Sequence, residues 1–79
     1  MGYHKKSIPK GEIGKFSKIK EEFLELEDAF EQGDIILELC ELSDLIGAIE
    51  AYVESRGITI SDLKKFSDKT REAFREGKR

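Results

Sequence analysis

Asp34-Ile35-Ile36-Leu37-Glu38-Leu39-Cys40-Glu41-Leu42-Ser43-Asp44-Leu45-Ile46-Gly47-Ala48-Ile49-Glu50-Ala51-Tyr52-Val53-Glu54-Ser55 is the stretch that decides the fold. Ile35, Leu39, Leu42, Leu45, Ile46, Ile49 and Val53 recur at helical spacing and form one wide apolar face, which Leu37, Ala48 and Tyr52 extend on one side. Only the arc holding Ser43, Gly47, Glu50 and Glu54 suits plain solvent. A helix apolar over most of its circumference must be covered on more than one side. Two further short helices do not suffice for that, so this helix is expected at a subunit interface. Asp34 supplies its N-cap, and Gly57 its stop.

Working outward, Gly33 separates this helix from an earlier one that begins near Phe16 and carries Ile19, Phe23, Leu26 and Phe30 as a single stripe. Upstream, residues 1–15 form a basic arm that Pro9, Gly11 and Gly14 make irregular. Downstream, residues 56–60 are a short connection, and a third helix is expected after Ser61, running to about Glu76 before Gly77. Its inward stripe is Leu63, Phe66, Thr70, Ala73 and Phe74. Lys64, Arg71, Arg75 and Lys78 share an outer face, with Lys65 and Lys69 bordering the stripe. The expected fold class is all-α: an antiparallel helical bundle over residues 16–79, completed by homo-oligomerisation. A chain of 79 residues struggles to bury enough apolar surface alone. Help from a second copy or a metal is therefore expected.

The charge pattern points to chemistry. From Glu21 through Glu54 there are twelve carboxylates and no Lys or Arg, while all fourteen basic residues lie on either side. Residues three apart on a helix are neighbours, so Glu22 pairs with Glu25 and Glu41 with Asp44. Glu41 and Asp44 interleave in angle with Leu37, Ala48 and Tyr52, which should withdraw them partly from water. Two unit charges about 5 Å apart repel by roughly 3 kcal/mol at an effective dielectric near 20, and by under about 1 kcal/mol in water. Four carboxylates on such a seam call for a cation, and oxygen ligands suit Mg²⁺. Either motif alone is common on solvated helices. Their conjunction on consecutive helices, with no base between, favours a metal site. Glu38, within the apolar arc, is either an additional or outer-sphere ligand or half of an interfacial ion pair. Glu21 reads as a solvated neighbour.

Other residues carry less. His4, the only histidine, reads as a free surface residue in the arm, and Cys40 as a packed core thiol. Gly11-Glu12-Ile13-Gly14 lacks the Gly-Lys-Ser/Thr ending of a phosphate loop and reads as a turn or mobile cover. Lys69, Arg71 and the tail Gly77-Lys78-Arg79 are candidate phosphate contacts, against the ordinary reading of a solvated basic face. A net charge of −3 and a pI near 5.2 argue against a general nucleic-acid binder. One cysteine makes no internal disulfide, and neither a membrane span nor a signal-type apolar region occurs in the sequence. A soluble cytoplasmic protein is expected.

The segment Lys18-Ile19-Lys20-Glu21-Glu22-Phe23-Leu24-Glu25-Leu26, followed by Glu38-Leu39-Cys40-Glu41-Leu42-Ser43-Asp44-Leu45, resembles the signature of the MazG-type nucleoside triphosphate pyrophosphohydrolases: Glu-x-x-Glu, a variable gap, then Glu-x-x-Asp. The gap here, Leu26 to Cys40, is fifteen residues. The tail from Thr70 to Arg79 resembles the ending of short, phage-associated members. The resemblance implies an all-α NTP-pyrophosphatase-like fold completed as a homodimer or homotetramer. It also implies Mg²⁺-dependent (Mn²⁺ as substitute) cleavage of a nucleoside triphosphate, most plainly a deoxynucleotide, between its α and β phosphates. Carried over by position, Glu22, Glu25, Glu41 and Asp44 become metal ligands. Glu38 or a ligand carboxylate such as Glu41 would accept the proton, and basic side chains, for which Lys69, Arg71 and Arg79 are the candidates here, would steady the developing charge. The chain departs from the family in its shortness and in lacking an alignable nucleobase-recognising segment. Two other readings stand beside this one: a non-enzymatic helical interaction module, and an inactive relative that still binds nucleotide.

Overall fold

A computed structural model describes residues 4–77. Its elements are α1 (Phe16–Gln32), α2 (Ile35–Ser55) and α3 (Ile60–Arg75), with no strand among the described residues. Gly33 closes α1 in the left-handed conformation, at φ 75°, and its N–H donates to the Phe30 carbonyl. A residue with a Cβ resists that backbone. Asp34 then opens α2, its Oδ1 accepting from the Ile36 and Leu37 N–H groups at 3.1 Å each. The two-residue connection forces α1 and α2 into an antiparallel hairpin. The register agrees, because Glu25 lies near Glu41 while the earlier Glu22 lies near the later Asp44.

The start of α3 departs from the expectation. Thr59, not Ser61, is its N-cap: Thr59 Oγ1 accepts from Asp62 N–H at 3.1 Å, and Asp62 Oδ2 accepts from Thr59 N–H at 3.3 Å. This reciprocal box satisfies two backbone donors, whereas Ser61 at the cap would leave Thr59 idle. Within one chain α3 touches α2 but not α1.

The hairpin buries the opposite of what its apolar stripes suggest. The buried apolar residues are Ala29, Ala48 and Val53, while Glu21, Glu22, Asp28 and Glu41 are buried beside them. The small alanines let the two helices approach closely, and the seam between them is lined by carboxylates. Phe23, Phe30, Leu39, Leu42 and Ile46 face outward, with Phe30 66% and Ile46 60% exposed. Phe66 and Phe74 on α3 are also exposed. The Cα radius of gyration is 14.8 Å, against about 12 Å for a compact domain of this length. Cys40, expected in a core, is exposed. It precedes Glu41 by one residue, about 100° round the helix and away from the apolar stripe. No helix among the described residues is long and apolar enough to cross a membrane.

The basic arm is irregular, as its Pro and Gly content suggests, yet it doubles back along α1. Gly11 anchors it: the Gly11 N–H donates to Glu21 Oε1 at 2.9 Å. A Cβ on Gly11 would come within 2.3 Å of the Ser17 carbonyl oxygen, so only glycine permits this approach. Gly14 makes the turn into α1 at φ 86°, where Lys15 N–H donates to the Glu12 carbonyl at 3.0 Å.

Candidate metal centre

The hairpin register brings the carboxylates of the two motifs together. Glu22, Glu41 and Asp44 each place one oxygen within 4.8 Å of the others, so a single ion could take ligands from both helices. Glu25 joins from the α1 side, grouped with Glu21 and Glu22 and again with His4 and Glu41. Glu22 and Glu41 are only 6% and 5% exposed, and each holds a buried oxygen, Oε1 in both, with no hydrogen-bond partner. A buried carboxylate oxygen without a donor is costly and rare.

Glu25 reports the electrostatics of the seam. Burial, then the charges of Glu22 and Glu41 beside it, push its carboxyl up to about 7. When protonated, Glu25 can donate to a neighbouring glutamate. Ionised, it leaves those oxygens facing no donor, the situation a divalent cation would relieve.

The expectation for Glu21 is overturned: it is 3% exposed, because the arm covers it. Lys18 Nζ lies 3.1 Å from Glu21 Oε1 and 3.0 Å from Glu22 Oε2, so the cation that enters the seam comes from one turn upstream. Those two carboxylates raise the Lys18 pKa. Burial disfavours the ionised form of Glu21, but the Gly11 N–H and Lys18 outweigh it and lower the Glu21 pKa.

His4 is the largest surprise. Expected as a free surface residue, its side chain is 12% exposed, with Nδ1 2.9 Å from Asp28 Oδ2 and Nε2 3.0 Å from Glu41 Oε2. Burial opposes its protonation, but the hydrogen bonds to Asp28 and Glu41 prevail and raise its pKa. Asp28 Oδ2 also accepts from Lys5 N–H at 3.1 Å and Gln32 Nε2 at 2.9 Å. The bond to His4, partly offset by burial, holds the Asp28 carboxyl below its ordinary value. Nothing in the periodicity of the arm announces His4, since its position depends on the chain doubling back at Gly11.

Beside the seam is an open cleft of about 910 Å³ whose lining includes His4, Lys6, Lys10, Glu25, Glu41 and Asp44. The other expected contacts do not reach it within one chain. Glu38 is half-buried on α2 but belongs to neither the acid groups nor the cleft lining. Lys69 and Arg71 are exposed on α3, which does not touch α1, and Arg71 lies 3.5 Å from Asp68. Arg79 lies outside the described residues. The cleft's own cations are instead Lys6, paired with Glu31, and Lys10, whose Nζ lies 3.8 Å from Glu21. Comparison of the chain with protein-family models, curated proteins and solved structures finds no match.

Proposed function

We propose that the α1–α2 seam is the divalent-cation site of a small homo-oligomeric nucleotide pyrophosphohydrolase of the MazG type, which cleaves a nucleoside triphosphate between its α and β phosphates. One observation carries the metal: two nine-tenths-buried glutamates, one from each helix, each with an unpartnered oxygen beside Asp44. Glu22 and Glu41 are buried while Asp44, expected to be partly withdrawn from water, is exposed at the rim of the seam, and such anionic all-oxygen donors fit Mg²⁺ or Mn²⁺. Glu22, Glu41 and Asp44 would hold the ion, with Glu25 beside them. Bound there, such an ion supplies Lewis acidity toward phosphate oxygens and toward the attacking water.

The rest falls to side chains of the chain. Lys10, exposed at the cleft, offers its ammonium to the triphosphate and adds to the stabilisation of charge that grows on the leaving pyrophosphate. Between the two residues considered for accepting the proton, Glu41 borders the cleft and Glu38 does not, which favours Glu41. In one chain Lys69 and Arg71 point to no acid seam; they would serve a site only from a second copy.

Homo-oligomerisation is part of the proposal, and helix geometry supports it. On α1, Ile19, Phe23, Leu26 and Phe30 each follow a seam position (Lys18, Glu22, Glu25, Ala29) by one residue, about 100° round the helix. On α2, Leu42 and Ile49 follow Glu41 and Ala48 in the same way. Because the helices are antiparallel, the same rotation carries both stripes to the same side of the hairpin, forming one apolar face. A second copy laid on that face would give α2 the cover its sequence demands.

Release of pyrophosphate from a panel of nucleoside triphosphates with Mg²⁺ tests the activity. It is expected in the native chain and absent in Glu41→Gln. A folded, metal-supplied protein silent across the panel would refute it. A second reading, a helical interaction module without catalysis, draws on Lys18 and His4, which already place cationic or donor groups against Glu21, Glu22 and Glu41. On that reading neither Mg²⁺ nor nucleotide shifts the melting temperature.

A further inference from the structure

The all-carboxylate group accounts for Glu22 and Asp44 but leaves His4 and Asp28 without a role. His4 Nε2 is 3.0 Å from Glu41 Oε2 and 3.9 Å from Glu25 Oε1. Ligand atoms arranged tetrahedrally about an ion at roughly 2.0–2.1 Å lie about 3.3 Å from one another. The two His4 separations straddle that value and the three residues each place a ligand atom within 4.8 Å of the others, so side-chain shifts would close them around an ion. The far side of the ring is equally well arranged. Asp28, 2% exposed and held by the Lys5 N–H and the Gln32 amide, lies 2.9 Å from His4 Nδ1, where its carboxylate can accept only from an Nδ1–H, a tautomer that leaves Nε2 facing Glu25 and Glu41 as the ligand nitrogen. A carboxylate behind a histidine, fixing its tautomer, is the usual support of a metal-binding imidazole. Independently, Glu41, the residue that the two groups share, is nine-tenths buried, and while its Oε2 faces His4 its Oε1 has no hydrogen-bond partner.

We propose that His4, Glu25 and Glu41, with Asp28 orienting the imidazole, form a second cation subsite that takes a transition ion such as Zn²⁺ or Co²⁺ in preference to Mg²⁺. One imidazole nitrogen and two carboxylates suit such an ion, whereas Mg²⁺ prefers oxygen throughout. Three protein ligands leave a position open toward the cleft, the arrangement of a reactive rather than a purely structural ion. The subsite shares Glu41 with the Glu22–Glu41–Asp44 group and so deepens the nucleotide-site reading; it rests on that reading only for what the open position would face.

The test uses the whole 79-residue chain without an affinity tag, since tag histidines would compete. Co²⁺ and Mg²⁺ are titrated calorimetrically into the native protein, His4→Gln, Asp28→Asn and Asp44→Asn, each checked for helicity. His4→Gln should weaken Co²⁺ binding at least about 10-fold, and Asp28→Asn by about 10- to 100-fold, as loss of an outer-shell partner does. Both should change Mg²⁺ affinity less than they change Co²⁺ affinity, while Asp44→Asn weakens Mg²⁺ more than Co²⁺. Because the chain has a single histidine, Co²⁺ should also shift one assignable set of imidazole proton resonances in the unmutated protein. Unshifted imidazole resonances at saturating Co²⁺, or native Co²⁺ affinity in folded His4→Gln, would overturn the subsite while leaving the nucleotide reading intact. Loss of Co²⁺ binding in His4→Gln in a protein that never binds Mg²⁺ would support the subsite and sink the nucleotide reading.

Discussion

Replacing Glu25 by glutamine should stabilise the metal-free protein above neutral pH and leave it unchanged in acid. Glu25 is part-buried beside Glu22 and Glu41, and its pKa is raised from 4.5 to about 7. A folded-state pKa above the unfolded value means that the folded chain binds the proton more tightly. The associated stability is thus fully present below about pH 4.5 and lost as pH rises through 7. At roughly 1.4 kcal/mol per unit, the shift corresponds to about 3 kcal/mol, a large fraction of the stability of so small a domain. Glutamine keeps the shape and cannot ionise. Urea denaturation with chelator present, at pH 4.5 and at pH 8, should show the native protein losing more stability across that interval than Glu25→Gln, which keeps only the decline contributed by His4. His4, whose pKa is also raised, contributes in the same direction at the upper end of the range. Adding Mg²⁺ at pH 8 should recover most of the deficit in the native protein and less in the variant, which has lost a candidate ligand. Equal stability of the two proteins at pH 8, or an equal difference at both pH values, would refute the crowding of carboxylates on the seam.

Further outcomes follow from individual contacts. Lys18→Gln removes the ammonium that Glu21 and Glu22 share, so metal-free stability should fall by about 2 kcal/mol while Mg²⁺ binds more tightly, as calorimetry would show. Gly11→Ala places a Cβ against the Ser17 backbone and should release the arm, seen as faster amide exchange at residues 4–12 and loss of the His4 contacts. Ile46→Glu puts a charge on the exposed apolar face; sedimentation should show the native chain associating and the variant shifted to monomer. An unchanged mass would remove that face from any interface. In the acid range Glu21 and Asp28, whose pKa values are lowered, contribute stability that is present above their unfolded values and lost as pH falls further, so a second decline should appear below about pH 4.

How far the chain could be read in advance depends on whether the signal was local. The α1–α2 boundary was legible because Gly33 and Asp34 each have one strong preference and stand side by side. The spacing of Glu22 with Glu25 and of Glu41 with Asp44 marks one carboxylate pair on each helix, whereas which acids face each other across the seam depends on the register that the two-residue connection imposes. The α3 start was misplaced although Thr59 and Asp62 already spelled a capping box, which outweighs a lone Ser61. Cys40 was misplaced because its neighbours are apolar, whereas its angle puts it on the other flank of the seam. His4, Glu21 and Asp28 were out of reach: their burial comes from an aperiodic arm folding over α1, and a period analysis carries no information about where such an arm lands.

The claim on which the rest depends is that carboxylates from α1 and α2 together hold a divalent cation. Anomalous scattering from crystals soaked in Mn²⁺ tests it most directly. A peak among the oxygens of Glu22, Glu41 and Asp44, with Glu25 beside it, is the expected result. A map with no peak on the seam at millimolar Mn²⁺, with those side chains turned out to solvent or closed on Lys18 alone, would contradict it.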